Sequence, residues 1–157
     1  YSVNPDIKFL FVGSGTEKNK LKNYLSNMNG VSCLFSDPIS QEKLNSVIQI
    51  CNVGIFTLNL NSKINNIPGK FLSYVSNNIP TFGIVNKSND IVKIINDFDL
   101  GITSSDNSAS QLTKDLHKLL DRSEDAAWMK EFTHNSTRVM NEIFSIKNAT
   151  SQILDLN

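Results

Sequence analysis

Ile7-Lys8-Phe9-Leu10-Phe11-Val12-Gly13-Ser14-Gly15 is a compact β-rich run broken by two glycines, and Leu21, Tyr24, Leu25 and Met28 follow it at positions i, i+3, i+4 and i+7. That order reads as strand, turn, helix. The pattern then repeats outward along the chain. Val31 to Phe35 forms a second strand, and Gln41 to Cys51 a helix with Leu44, Val47, Ile48 and Cys51 on one face. Val53 to Leu58 is a third strand, Pro68 to Ser76 a helix and Pro80 to Val85 a fourth strand. The segment around Ile91, Val92, Ile94 and Ile95 is a helix, and Gly101 to Thr103 a short fifth strand. Strands alternating with helices predict parallel pairing through right-handed crossovers. The expected fold is therefore α/β, a Rossmann-like doubly wound parallel sheet of about five strands in the order 2-1-3-4-5.

The last third adds helices only. Ser108 with Gln111 predicts a capping box ahead of a helix that buries Leu112, Leu116, Leu119 and Leu120. Ser123 is the expected cap of a second helix carrying Trp128, Met129 and Phe132, and Val139, Met140, Ile143, Phe144, Ile153 and Leu154 continue as apolar stripes. No linker, repeat or low-complexity tract interrupts residues 1–157, so one domain is expected.

Composition narrows the function classes. The chain has 157 residues, of which 39% are hydrophobic and 19% charged, enough apolar material for a packed domain of ordinary size. Fifteen basic residues balance fifteen acidic ones, which argues against a nucleic-acid partner. Cys33 and Cys51 lack metal or redox spacing and fit reduced, buried thiols in a cytoplasmic protein. No apolar run reaches the ~20 residues of a transmembrane helix, and no signal-peptide pattern opens the chain. The chain starts at Tyr1 rather than Met, which suggests a piece of something larger.

Ile67-Pro68-Gly69-Lys70-Phe71-Leu72-Ser73-Tyr74 is the chief functional candidate. A loop turning into a helix at Pro68-Gly69 directs free N–H groups and a positive dipole end outward, as phosphate-binding helices do. Lys70 in the first turn would strengthen such a site; the plainer reading is a helix start with a solvated lysine. Ligands of an open sheet sit beyond the carboxyl ends of the strands at the point where strand order reverses. For the order 2-1-3-4-5 that crevice is walled by the loops Gly13 to Thr16 and Asn59 to Lys70.

Gly13-Ser14-Gly15, with Asp37 beyond the second strand, invites comparison with the dinucleotide fingerprint, but Lys18 stands where the third glycine belongs. A bulky residue there obstructs cofactor approach. Gly13 and Gly15 are accordingly turn residues that can border a ligand. Ser14 lacks the preceding glycine of a nucleophile elbow. His117 on a helix and His134 at the opening of a turn read as surface residues. Asp37, Asp90, Asp97 and Asp99 show no metal-ligand spacing, and no metal is expected.

Taken in order, Phe9-Leu10-Phe11-Val12-Gly13-Ser14-Gly15, Val31-Ser32-Cys33-Leu34-Phe35, Cys51-Asn52-Val53-Gly54-Ile55-Phe56, Pro68-Gly69-Lys70-Phe71 with Tyr74 and Pro80, Asn89-Asp90 with Ile94-Ile95, Leu100-Gly101-Ile102, and Phe144-Ser145 with Ala149, Gln152 and Ile153-Leu154 resemble the C-terminal half of a GT-B glycosyltransferase. The similarity is to the large retaining family that builds bacterial capsule, lipopolysaccharide and exopolysaccharide, and it covers nearly the whole chain. The resemblance implies a domain that binds a nucleotide-sugar donor such as a UDP- or GDP-sugar. A glycan or lipid-linked acceptor would be held by an N-terminal domain outside this sequence.

By position, Ser36 to Ile39, including Asp37 and Pro38, would border the nucleobase, and Ile67 to Lys70 would meet the diphosphate or sugar. Asn65 and Ser73 stand where the family places two glutamates, and Asn66 lies beside the first. They offer neutral hydrogen bonds in place of carboxylates. The family's basic loop, which neutralises the diphosphate, has no counterpart before Ile7. The resemblance therefore implies a hexosyltransferase-like enzyme as the full-length protein and an inactive fragment here, with no residue identified as catalytic and no cofactor beyond the donor. The implied location is the cytoplasm or the inner face of the bacterial plasma membrane. The alternative is a flavodoxin-like protein-interaction or degenerate nucleotide-binding module.

Overall fold

The fold comes from a computed structural model that describes residues 7–28, 32–62, 64–145 and 150. Its elements run β1 (Lys8–Val12), α1 (Lys18–Ser26), β2 (Ser32–Ser36), α2 (Gln41–Ile48), β3 (Gly54–Thr57), α3 (Gly69–Ser76), β4 (Thr81–Ile84), α4 (Asp90–Asp97), β5 (Gly101–Ser104), α5 (Ala109–Ser123) and α6 (Ala126–Glu142). The expected alternation holds through β5, and every ladder is parallel. Among the described residues the strands form two sheets, β1-β2 and β3-β4-β5. The neighbours β1-β2 and β3-β4-β5 are seen, and the expected continuous order 2-1-3-4-5 is not shown among the described residues. The chain divides into two compact units within α2, between Leu44 and Asn45.

In the first unit, Phe9 lies opposite Cys33 and Phe11 opposite Phe35. Phe11 and Phe35 stack with centroids 4.9 Å apart, and the Lys22 ammonium lies 5.5 Å from the Phe35 ring. Their register neighbours Leu10 and Leu34 point to the opposite face, as the period of two requires, and are 40% and 61% exposed.

The second unit holds the main core. Phe56, Phe71, Val75, Phe82, Ile91, Ile95, Leu119, Phe132 and Val139 are buried together. Each fully buried side chain of this kind contributes about 1.5–3 kcal/mol. Phe71 is the centre of an aromatic run, edge-on to Phe56 at 5.9 Å and to Phe144 at 6.3 Å. Gly101 starts β5 at φ +145, and any Cβ there would collide with the Thr81 carbonyl oxygen, so the close β4–β5 approach requires glycine. Just before it, Asp99 adopts φ +50 and its Oδ2 accepts hydrogen bonds from Arg122 Nη2 and Trp128 Nε1, both at 2.7 Å. The Arg122 guanidinium also covers the Trp128 ring at 4.4 Å. One carboxylate thereby fastens the α4–β5 corner to α5 and α6.

Several expectations need correction. The cap of α6 is Asp125, whose Oδ1 accepts from the Ala127 and Trp128 N–H groups; Ser123 ends α5 and donates to the Leu120 carbonyl instead. A carboxylate beside a helix N-terminus has the dipole in its favour as well as the hydrogen bonds. His134 lies inside α6 rather than at a turn, because the buried positions Phe132, Asn135, Ser136 and Val139, two apolar and two polar, continue one inward helical face past it. Ser108 caps α5 by accepting from Gln111 N, but the Gln111 side chain bonds Asp115, so the box is only half formed. The α2 helix ends at Ile48, and Cys51 closes it through a turn to the Ile48 carbonyl. Val31, Ala149, Gln152, Ile153 and Leu154 lie outside the described residues. No helix among those residues is long and apolar enough to cross a membrane.

Candidate functional site

The candidate residues fall into two sets, one in each unit. In the second unit, β3 runs out at Thr57 into the polar stretch from Asn59 to Asn66, and the chain turns into α3 at Pro68. Pro68 is the N-cap in extended conformation, with φ −67 and ψ 134, and no side chain caps the helix. Its carbonyl accepts from Phe71 N at 3.0 Å, which leaves the N–H groups of Gly69 and Lys70 without a protein partner among the described residues. Gly69, Lys70, Asn65 and Asn66 are exposed. Ile67 is half-buried against the core and anchors the turn. Ser73 donates to the Gly69 carbonyl at 3.0 Å, so its hydroxyl oxygen is still free to accept from a ligand. The arrangement offers backbone donors, a positive helix end and the exposed Lys70 ammonium to an anion.

Beside that turn lies a pocket of about 210 Å³ lined by Leu58, Asn59, Ser62, Ile64, Asn66, Asn86 and Asn89. Leu58 and Asn59 follow β3, Asn86 follows β4, and Asn89 caps α4, so the pocket sits at the carboxyl ends of parallel strands. Asn86 builds it. Its Nδ2 donates to the carbonyls of Leu60 at 2.9 Å and Ser62 at 3.3 Å, while its Oδ1 accepts from Ser88 N and Ser88 Oγ, each at 3.0 Å. That side chain ties the Asn59–Ser62 loop to the end of β4.

The first unit places Gly13, Gly15, Asp37 and Pro38 at the end of β1 and β2. Gly13 takes φ +142, which glycine alone adopts freely, and its N–H donates to the Ser36 carbonyl at 3.2 Å. Lys18 fills the mouth of this turn. Its Nζ donates to the carbonyls of Gly13 and Ser36 at 2.9 Å and to Asp37 Oδ1 at 2.7 Å. The lysine that replaces the third fingerprint glycine therefore supplies a fixed ammonium where a dinucleotide would need an open helix end. The Lys18 ammonium holds the Asp37 carboxyl below the usual carboxylate range, by hydrogen bond first and by charge second. Asp37 itself is exposed, as is Pro38.

Other reactive groups show no catalytic arrangement. Cys33 and Cys51 are free, half-buried thiols whose pKa values burial raises, the opposite of nucleophile activation. His117 Nδ1 lies 2.9 Å from the Thr113 carbonyl on its own helix. Burial, and then the neighbouring Cys51, raises the Tyr74 phenol, which donates to the Ile55 carbonyl at 3.2 Å. Among the described residues no three His, Cys, Asp or Glu side chains gather as a metal site would require.

Sequence reasoning singled out the α3 start, the two turn glycines, Asn66 and the loop beginning at Asn59, but missed Lys18 as an anchor and Asn86 and Asn89 as pocket residues. The Asn86-Lys87-Ser88-Asn89 run between β4 and α4 carried a readable signal, since asparagine before Asp90-Ile91 is an N-cap pattern. Neither a comparison with known protein families nor one with curated proteins gives a match for this chain.

Proposed function

We propose that this chain is the nucleotide-sugar donor-binding part of a GT-B glycosyltransferase that transfers a sugar to a glycan or lipid-linked acceptor in bacterial surface-polysaccharide synthesis. The observation that carries the reading is the uncapped start of α3 at Pro68-Gly69-Lys70, set beside a polar pocket at the carboxyl ends of β3 and β4. In the reaction, the bond between the anomeric carbon and the diphosphate breaks and negative charge collects on the departing diphosphate oxygens. The Gly69 and Lys70 N–H groups and the Lys70 ammonium would stabilise that charge. Asp37 and Pro38 would border the nucleobase, and Asn65, Asn66 and Ser73 would offer neutral contacts to hydroxyls. The proposal includes the continuous strand order 2-1-3-4-5. It also places the acceptor in a partner domain and the work at the cytoplasmic side of the membrane.

A degenerate module without catalytic activity is the second reading, favoured by Lys18, which occupies the mouth of the first turn. Saturation-transfer NMR of this chain with UDP, GDP and their sugar conjugates separates the two. Transfer from one nucleotide, lost in Lys70→Ala while the amide spectrum stays folded, supports the donor site. No transfer at millimolar nucleotide, or transfer that Lys70→Ala leaves unchanged, counts against it.

A further inference from the structure

We draw no further inference here: the strongest candidate, the outer face of the β1–β2 ladder where Leu10 and Leu34 lie opposite one another 40% and 61% exposed, carries nothing because no feature of the structure shows what covers it.

Discussion

Asp99 shows how much one side chain can hold. Its left-handed backbone turns the chain from α4 into β5, and its single Oδ2 takes hydrogen bonds from a tryptophan and an arginine on two other helices. Asp99→Ala removes the acceptor from both donors and the short polar side chain that makes φ +50 easier for aspartate than for alanine, so a loss of about 2–3 kcal/mol is expected in urea unfolding. Asp99→Asn keeps an acceptor for Trp128 Nε1 and tolerates the backbone, and the ion pair it gives up is partly exposed. About 1 kcal/mol or less should be lost there. Equal losses in the two variants would mean that charge rather than hydrogen-bond geometry matters at this corner. Lys18 and Asp37 make the second case, through pH. The carboxyl of Asp37 has its folded pKa below the unfolded value of about 3.9. The stabilisation from the pair is therefore complete above that unfolded value and is lost as pH falls through the folded one. A carboxyl ¹³C titration should place the Asp37 midpoint below the ordinary value, and Lys18→Met should raise it. An Asp37 midpoint that does not move in Lys18→Met would remove the hydrogen bond as its cause.

At the scale of elements, the caps give the sharpest check on what sequence pattern can and cannot say. Ser123 and Asp125 are both residues that favour helix starts, and only the placement of the α5 end decides between them. Asp125→Ala should cost about 1 kcal/mol in chemical unfolding, whereas Ser123→Ala should stay within about 0.5 kcal/mol. The reverse ranking would mean that α6 begins earlier than Ala126. Strands and helices up to β5 were legible because their apolar residues repeat with periods of two and 3.6, and because Pro68-Gly69 and Gly13 to Gly15 punctuate them. The site was legible only where punctuation marks it. Lys18 sits on a helix whose periodicity says nothing of a side chain reaching back to two strand-end carbonyls. The pocket joins Asn59 and Ser62 to Asn86 and Asn89 across β4, through carboxamide bonds to backbone that leave no periodic trace. Strand order lies further from the pattern still, since the ladders β1-β2 and β3-β4-β5 depend on which edges meet and not on any one segment.

Across the whole molecule, burial is divided unevenly, and stability should be divided the same way. The buried hydrophobic core, from Phe56 to Val139, belongs to the unit from Asn45 onward. There β4 is laddered on both sides, by β3 and by β5, and helices α3 to α6 contribute fully buried side chains. Before Leu44, no described residue is buried, and the two-stranded ladder β1-β2 leaves Leu10 and Leu34 exposed opposite one another. A parallel pair with so little apolar cover has few contacts to lose on opening, and a two-stranded ladder is marginal by itself. Opening free energy in a folded chain follows such local burial rather than the global average. Hydrogen exchange followed by NMR should therefore find the amides of β4, β5, α4 and α6 exchanging only with global unfolding. Those of β1, β2 and α1 should exchange at least tenfold faster, through an opening that leaves the larger unit intact. If nucleotide binds, protection of Gly13 to Asp37 should rise with it only where the first unit takes part in the site, which makes the same experiment a test of the contribution expected from Asp37 and Pro38. Uniform protection across both units would instead show one cooperative fold, in which the division inside α2 carries no energetic weight.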